Sequence, residues 1–433
     1  MFGWLKGKKK DDKNKEQSEQ NQDQDNNNNE NDEEVKEGYD PENDNSVKEY
    51  KEECITDFSK DYPGYLTLSK EEILELTEQF EAFEPNGDLR HEEGYKKGGR
   101  FCPDDEVVSK IRSIGKYMLK QVGKKILTGQ LNLTKISFPI SAMIPKSTLE
   151  TSVHYTCLFP LYLNKAAASN DPLERLKLVT VSCLSSFFYT NSFLKPLNPI
   201  LGETLHGTFP DGTDVYCEQI SHHPPVTYIY TVGPDSSYKY YGYYDYDAGA
   251  GLNSLYITNK GKRFFEFKDG QKIEFNFPNE QYSGSFMGTL RQESLGKMYF
   301  KDEKNNLQIL VEFGKVKKKP TDYFTGKILK DGQQIGSLEG TYLGYIDVDG
   351  KRYWDYTRIT PHRLNFADDS LGSDHRVRSD LTTLLSGNVK QAQIEKEKLE
   401  VIQRTDRKSR EEYAKKLQKE QKQAQKEAKK NKN

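Results

Sequence analysis

Apolar side chains recur every three to four positions in two N-terminal stretches. In the first, Ile73, Leu74, Leu76, Phe80 and Phe83 follow Ser69-Lys-Glu-Glu72, a capping box. Pro85-Asn-Gly87 ends the helix that they predict. In the second, from Asp104 to about Leu127, Val107, Val108, Ile111, Ile114, Met118, Val122 and Ile126 form one stripe. Lys110, Arg112, Lys116, Lys120, Lys124 and Lys125 make that helix basic, and Gly115 and Gly123 loosen it. Such a helix can lie on an anionic membrane, or cover a core with its charged face in water.

From about Ser152 to Tyr356 the pattern changes to strands. Pro210-Asp-Gly-Thr213, Lys268-Asp-Gly-Gln271, Lys330-Asp-Gly-Gln333 and Val348-Asp-Gly-Lys351 each separate two alternating apolar runs. Asp-Gly in that setting signals a hairpin, because both turn residues tolerate φ > 0. Four in series predict a long antiparallel meander, which must curl and close to remove its edges. Beyond about eight strands the lumen is too wide for its own side chains, so it holds a ligand or a plug. The expected interior is an apolar tunnel. After Ser379 the chain reads as helical and highly charged. Leu381, Leu384, Leu385, Val389, Ile394, Leu399 and Ile402 can dock one face, and past Arg404 a frayed helix is expected.

Composition narrows the class. The 433 residues are 34% hydrophobic and 12% aromatic, with 27 Tyr and 21 Phe that a large β-architecture accommodates. Cys54, Cys102, Cys157, Cys183 and Cys217 are scattered, odd in number and without a C-x-x-C pair. They read as reduced thiols of a cytosolic protein, not a disulfide scaffold. No run of about 18 apolar residues is present, so no segment is expected to span a bilayer. The N-terminus shows neither an apolar signal core nor a glycine at position two, so secretion and myristoylation are not expected.

The net charge of −3 conceals two tails of opposite sign. Asp11–Asp61 holds 19 acidic and 6 basic residues, whereas Thr405–Asn433 holds 11 basic and 5 acidic. The organisation expected is a disordered acidic tail (1–62), a helical lead-in (63–100), a lid (101–138), a β-barrel domain with a C-terminal helix (139–404) and a basic tail (405–433). Phe2, Trp4 and Leu5 ahead of Lys6, Lys8, Lys9 and Lys10 form a weak interfacial anchor at most.

The densest chemistry is Glu218-Gln-Ile-Ser-His-His-Pro-Pro225. Pro224 forces His223 into an extended backbone and Pro225 does likewise to Pro224, which holds the pair rigid and at a bend. Adjacent His on an extended chain point to opposite faces, and no third ligand stands at zinc-like spacing, so a metal site is not expected. No nucleophile elbow, Walker loop or H-E-x-x-H accompanies the pair, so catalysis is not expected either. By itself the segment reads by default as a structural bend with satisfied His.

This segment resembles the signature of the oxysterol-binding-protein-related lipid transfer family. Lys195-Pro-Leu-Asn-Pro-Ile-Leu-Gly-Glu203 is similar to a second family stretch, and Lys396-Glu-Lys-Leu-Glu400-Val-Ile-Gln-Arg404 to its C-terminal helix. Leu133-Thr-Lys-Ile-Ser-Phe-Pro139 resembles the segment after the family's lid, and Leu338-Glu-Gly-Thr-Tyr342 fits less distinctively. The resemblance implies a mainly β fold: a large antiparallel, near-closed barrel around a lipid tunnel, with an N-terminal helical lid and charged C-terminal helices. It implies phosphatidylinositol 4-phosphate at the tunnel mouth, a sterol or another lipid as second ligand, and exchange between membranes without catalysis, cofactor or nucleic acid. The protein would act in the cytoplasm, peripherally at anionic membranes. A sensor or scaffold acting through the charged tails is the alternative.

The residues carried over for the headgroup are Lys195, Leu197, Asn198, His222, His223, Lys396, Glu400 and Arg404. Leu197 and Asn198 would offer backbone N–H groups, and the imidazoles would donate to phosphate. Lys396, Glu400 and Arg404 stack at four-residue spacing along one helix face, where Glu400 can hold both cations. In the lid, Ile111, Ile114 and Met118 would cover the tunnel, with Lys116 and Lys120 towards the membrane. One departure is Tyr228, where the family often has a small residue. Facing inward it would narrow the tunnel; facing outward it would change nothing.

Overall fold

A computed structural model describes residues 68–127, 137–190, 193–251 and 253–430; the side chains of 117–127 and 427–430 are outside this description. The acidic segment, the Phe2–Leu5 anchor, and residues 133–136 of the Leu133–Pro139 stretch also lie outside it.

The capping box forms as the sequence requires. Ser69 Oγ accepts from the Glu72 N–H and the Glu72 carboxylate from the Ser69 N–H, opening helix α1 (Lys70–Gln79). Ile73 and Phe80 of this segment are buried, while Leu74 and Leu76 are exposed. A short strand β1 (Arg100–Phe101) leads to helix α2 (Asp105–Leu127), whose first N–H groups donate to the Asp104 carboxylate. Strand β2 (Met143–Ser147) precedes three helices: α3 (Thr148–Val153), α4 (Phe159–Ala168) and α5 (Pro172–Thr190).

These three helices correct the reading of strands from Ser152. Helix α5 is Val-, Thr- and Ser-rich and lacks an amphipathic period because it is buried nearly all round. Its hydroxyls bond back to its own carbonyls, as in Thr180 Oγ1 to Leu176 O (2.8 Å) and Ser185 Oγ to Val181 O (2.7 Å). Polar residues can therefore sit on every face of a core helix. Strands begin in earnest only after this block.

They run β3 (Lys195–Leu197), β4 (Thr204–Thr208), β5 (Asp214–Ser221), β6 (Val226–Val232), β7 (Tyr238–Gly251), β8 (Ser254–Asn259), β9 (Arg263–Phe267) and β10 (Lys272–Phe275). They continue with β11 (Asn279–Ser283), β12 (Arg291–Asp302), β13 (Leu307–Phe313), β14 (Tyr323–Lys330), β15 (Gln333–Thr341), β16 (Tyr345–Val348), β17 (Lys351–Asp355) and β18 (Asn365–Phe366). The main sheet has 16 strands, with β17 and β18 at its ends, and those ends do not pair with each other, so the barrel stays open. Strands β7 and β12 are long enough to be bridged twice, by β9–β10 at one end and by β8–β11 at the other. The edge of β17 is covered by the chain at Phe83, which exchanges two backbone hydrogen bonds with Arg352.

All four Asp-Gly turns join antiparallel neighbours. Only two place both residues at positive φ: Asp331 and Gly332 (49° and 77°), and Asp349 and Gly350 (50° and 79°). At Asp211-Gly212 and Asp269-Gly270 the loops are longer and only the glycine is left-handed.

The C-terminal part is helix α6 (Ser379–Leu385) and helix α7 (Val389–Lys430). Leu381, Leu384, Val389 and Ala392 are buried, whereas Leu385, Ile394 and Ile402 are exposed, so the docking face is narrower than expected. Nor does the helix fray after Arg404. It continues to Lys430 through Lys, Glu, Gln and Ala, all strong helix formers. One core cluster joins α4 and α5 to the sheet, with Phe159, Tyr240, Phe265 and Phe275 in ring contact.

Candidate functional site

Helices α4 and α5 plug only part of the space inside the sheet. A cavity of about 1190 Å³ remains, above the range of about 300–1,000 Å³ usual for small-molecule pockets. Its walls are largely apolar: Ile111 and Ile114 from α2, Phe187 from α5, and Leu255, Ile257, Phe277 and Phe286 from the sheet and its loops. Lys195, Asn198, Gln219 and His222 also line it.

The loop bearing Lys195 is pinned by Glu203. This buried carboxylate accepts from the Ile200 N–H (2.8 Å), from Ser147 Oγ and from Arg378 Nη1 (2.9 Å). The Gly202 N–H donates to the Gln219 carbonyl (2.8 Å), which ties the loop to the end of β5. Thus the Lys195–Glu203 and Glu218–Pro225 motifs are one structural unit. Arg378 completes it by donating to the Asn198 carbonyl (2.8 Å) and to both oxygens of buried Asp380. Lys195 Nζ bonds to Asn198 Oδ1 and the Pro196 carbonyl, and lies 5.7 Å from the Phe138 ring centroid. Leu197 is 1% exposed, packed in the cluster of Ile140, Met143 and Leu381, and its carbonyl accepts from Thr148 Oγ1.

The chain turns at residues 222–225 instead of running extended, which corrects the expectation that the two imidazoles point apart. Their ring centroids are 4.5 Å apart. His222 lines the cavity; His223 is exposed beside it. Tyr228 faces outward, at 36% exposure, between inward-facing Thr227 and Ile229. It leaves the cavity unchanged.

On α7 the spacing of Lys396, Glu400 and Arg404 does what the sequence reading requires. Glu400 pairs with Lys396 Nζ and, at 3.8 Å, with Arg404 Nη1. Ser137 Oγ accepts from Lys396 Nζ (2.7 Å) and donates to Glu400 (2.8 Å), fixing the trio against the segment that leads into β2. The trio stands behind the lining residues, and Lys396 and Glu400 act on them through their field. Burial, reinforced by Lys396 and Arg378 and opposed by Glu400, pulls the Lys195 ammonium down to about 7. Burial, with His223, Arg407 and Arg410 adding and Glu400 opposing, pulls His222 down to about 4. Crowded cations resist protonation until an anion joins them.

Helix α2 lies over the apolar part. Ile111, Ile114 and Gly115 line the cavity and Lys116 is exposed. A Cβ on Gly115 would come 3.1 Å from the Phe286 ring, so this glycine lets the helix seat closely, where the sequence suggested only a loosened helix. Arg112 Nη2 holds the Gly288 carbonyl at 2.6 Å. Met118 and Lys120 have side chains outside the described residues.

Ser137, Phe138, Arg378, Arg407 and Arg410 were not singled out from sequence. Ser137 and Phe138 stood inside a recognised stretch, and Arg407 and Arg410 continue the helix past Arg404. Arg378 carried no local signal. Among the described residues, no cluster of three or more His, Cys, Asp or Glu is placed to hold a metal ion, and no helix is long and apolar enough to cross a membrane.

The sequence profile of the family described as "Oxysterol-binding protein" matches residues 118–433. Oxysterol-binding protein 9 of Dictyostelium discoideum is 35% identical over 74% of this chain and 81% of its own length. Oxysterol-binding protein-related protein 5 of Mus musculus is 31% identical over 48% of this chain but 25% of its own. Among solved structures, the Osh3 ORD of Saccharomyces cerevisiae in complex with PI(4)P superposes with TM-score 0.58 at 19% identity, covering 75% of this chain and 89% of that one. The Osh1 ORD domain in complex with cholesterol gives 0.57 at 18%, over 79% and 88%. The open sheet with flanking helices is therefore the ORD fold. Matched by that profile over most of its length, and with a 35% identical relative spanning three quarters of it, the chain belongs to the oxysterol-binding protein family.

Proposed function

We propose that the chain carries phosphatidylinositol 4-phosphate and a second lipid, a sterol or another, in one cavity and exchanges them between anionic membranes. The observation that carries this reading is a largely apolar cavity with basic side chains grouped at one place on its border: Lys195 and His222 line it, His223 stands beside them, and Lys396 and Arg404 lie behind. A phosphorylated inositol supplies the missing anion, and its acyl chains match the apolar walls. The relatives solved with PI(4)P and with cholesterol support the two ligands. Carriage has a physical use. Drawing two acyl chains through water exposes roughly 30 methylenes at about 0.8 kcal/mol each, on the order of 25 kcal/mol, and the cavity removes most of that barrier.

Lys195 and the imidazoles donate to the phosphate, Leu197 and Asn198 offer backbone N–H groups, and Glu400 holds Lys396 and Arg404 in place. Extraction of phosphatidylinositol 4-phosphate from liposomes by wild type and His222→Ala/His223→Ala tests this. Two charge-assisted hydrogen bonds at about 1.5–3 kcal/mol each predict a loss of at least about 100-fold in affinity. Undiminished extraction by the double variant would remove the phosphate role from the pair.

Binding is also expected to take up protons. Phosphate raises the pKa of Lys195 from about 7 and of His222 from about 4. A group whose pKa rises on binding contributes affinity that is complete below its free value and is lost as pH climbs through its bound value. Affinity should therefore decline from pH 7 upward, in the Lys195 window. Calorimetry at pH 7.5 in buffers of differing ionisation heat should register net proton uptake that Lys195→Arg diminishes; zero uptake by wild type would contradict the assignment.

A further inference from the structure

Helix α7 outruns the site it serves. Beyond Arg404 its side chains are nearly all exposed through Glu420 and on to Lys426, and only Tyr413 and Leu417 are large apolar residues. The charges along it are not evenly spread. Arg404, Lys408, Lys415, Lys419, Lys422 and Lys426 are separated by 4, 7, 4, 3 and 4 residues. At 3.6 residues per turn they fall within an arc of about 60° and extend about 33 Å along the axis. Glu420 projects far outside that arc, whereas Glu411 and Glu412 flank it about 20° beyond either edge between Lys408 and Lys415, so the arc carries one sign of charge from Lys415 to Lys426. The stripe starts at the arginine paired with Glu400 and runs away from it, with a gap of about two turns after Lys408.

We propose that this stripe is a docking rail for an anionic bilayer surface. The proposal rests on the headgroup reading above only for its placement, because the stripe begins at a residue assigned to that site. Three features favour a membrane over other partners. The charge is complementary to anionic lipid and of the density that polybasic segments use at such surfaces. The stripe is continuous with the site where the lipid would enter. Two large apolar residues in the 26 that follow Arg404 are too few for the repeating seam of a coiled coil, which argues against a second copy of the chain.

The test uses the full chain and vesicles of phosphatidylcholine with or without phosphatidylserine, free of phosphoinositide. K415Q/K419Q/K422Q/K426Q keeps good helix formers and leaves Arg404 in place. It should lose about 10- to 100-fold in partitioning onto the phosphatidylserine vesicles. Wild-type binding should weaken steeply with salt. A control variant, K268Q/K317Q/K327Q/K330Q, removes as many exposed charges from the sheet's loops and strands and should bind as wild type. Titration with a water-soluble short-chain phosphatidylinositol 4-phosphate should be equal for the helix variant and wild type. Wild-type vesicle binding by the helix variant overturns the proposal, and so do equal losses by both variants. A dimer abolished by the helix substitutions, or RNA bound more tightly than vesicles, also overturns it. If the short-chain lipid fails to bind wild type while the lysine-dependent vesicle binding persists, the headgroup reading falls and the rail stands.

Discussion

Replacing Arg378 by alanine is expected to lower folding stability by about 3–5 kcal/mol, the usual cost of removing one partner from a buried ion pair. The guanidinium is nearly enclosed. Burial works against its charge, and Glu203 and Asp380 outweigh burial. Without it, two carboxylates lie buried with no cation between them, and the Asn198 carbonyl loses its donor. Arg378→Lys should recover only part of the loss, because an ammonium cannot fork to two carboxylates and a carbonyl at once. Urea unfolding of the two variants checks this; a change below 1 kcal/mol for alanine would mean that Arg378, Glu203 and Asp380 hold nothing together. Short of unfolding, the same substitution frees the Lys195–Glu203 loop, so headgroup affinity should fall with stability.

That arginine also marks where reading the sequence stops being informative. The Asp-Gly turns were legible because each demands left-handed backbone, at both residues in two of them and at the glycine in the other two, and few residues meet that demand. The Lys195, His222 and Lys396 motifs were legible because several residue types must recur at fixed spacing. Arg378 has no such mark: an arginine in a charged stretch looks like surface until the fold brings Glu203 to it from 175 residues away. Helix α5 was misread for a related reason. Periodicity reports the contrast between a wet and a dry face, and a helix dry on every side has no contrast to report. The helix past Arg404 is hard to read from apolar content, because an exposed helix rests on backbone propensity and on pairs such as Arg407–Glu411. Tyr228 could be framed as a question from sequence, but only the register of β6 gave its side.

The largest functional effect is expected from charging the face of α2 that borders the cavity. Ile111 and Ile114 border the cavity from α2, where they would cover acyl chains. Each isoleucine contributes roughly 1.5–3 kcal/mol by burial against lipid, so Ile111→Asp/Ile114→Asp forfeits about 3–6 kcal/mol before any cost of facing a carboxylate towards hydrocarbon. Dissociation of a loaded fluorescent lipid, followed by dilution into acceptor-free buffer, should quicken by at least about 100-fold. Global stability should change little, since both side chains are only partly buried in the protein itself. Lys116→Gln provides the contrast. Its ammonium is exposed, so lipid retention should be unaltered while association with anionic vesicles weakens. If the double aspartate variant releases lipid within threefold of the wild-type rate, α2 is not the cover of the cavity. Close seating of Gly115 on Phe286 would then be ordinary core packing, and the barrier to lipid escape would have to lie elsewhere along the apolar wall.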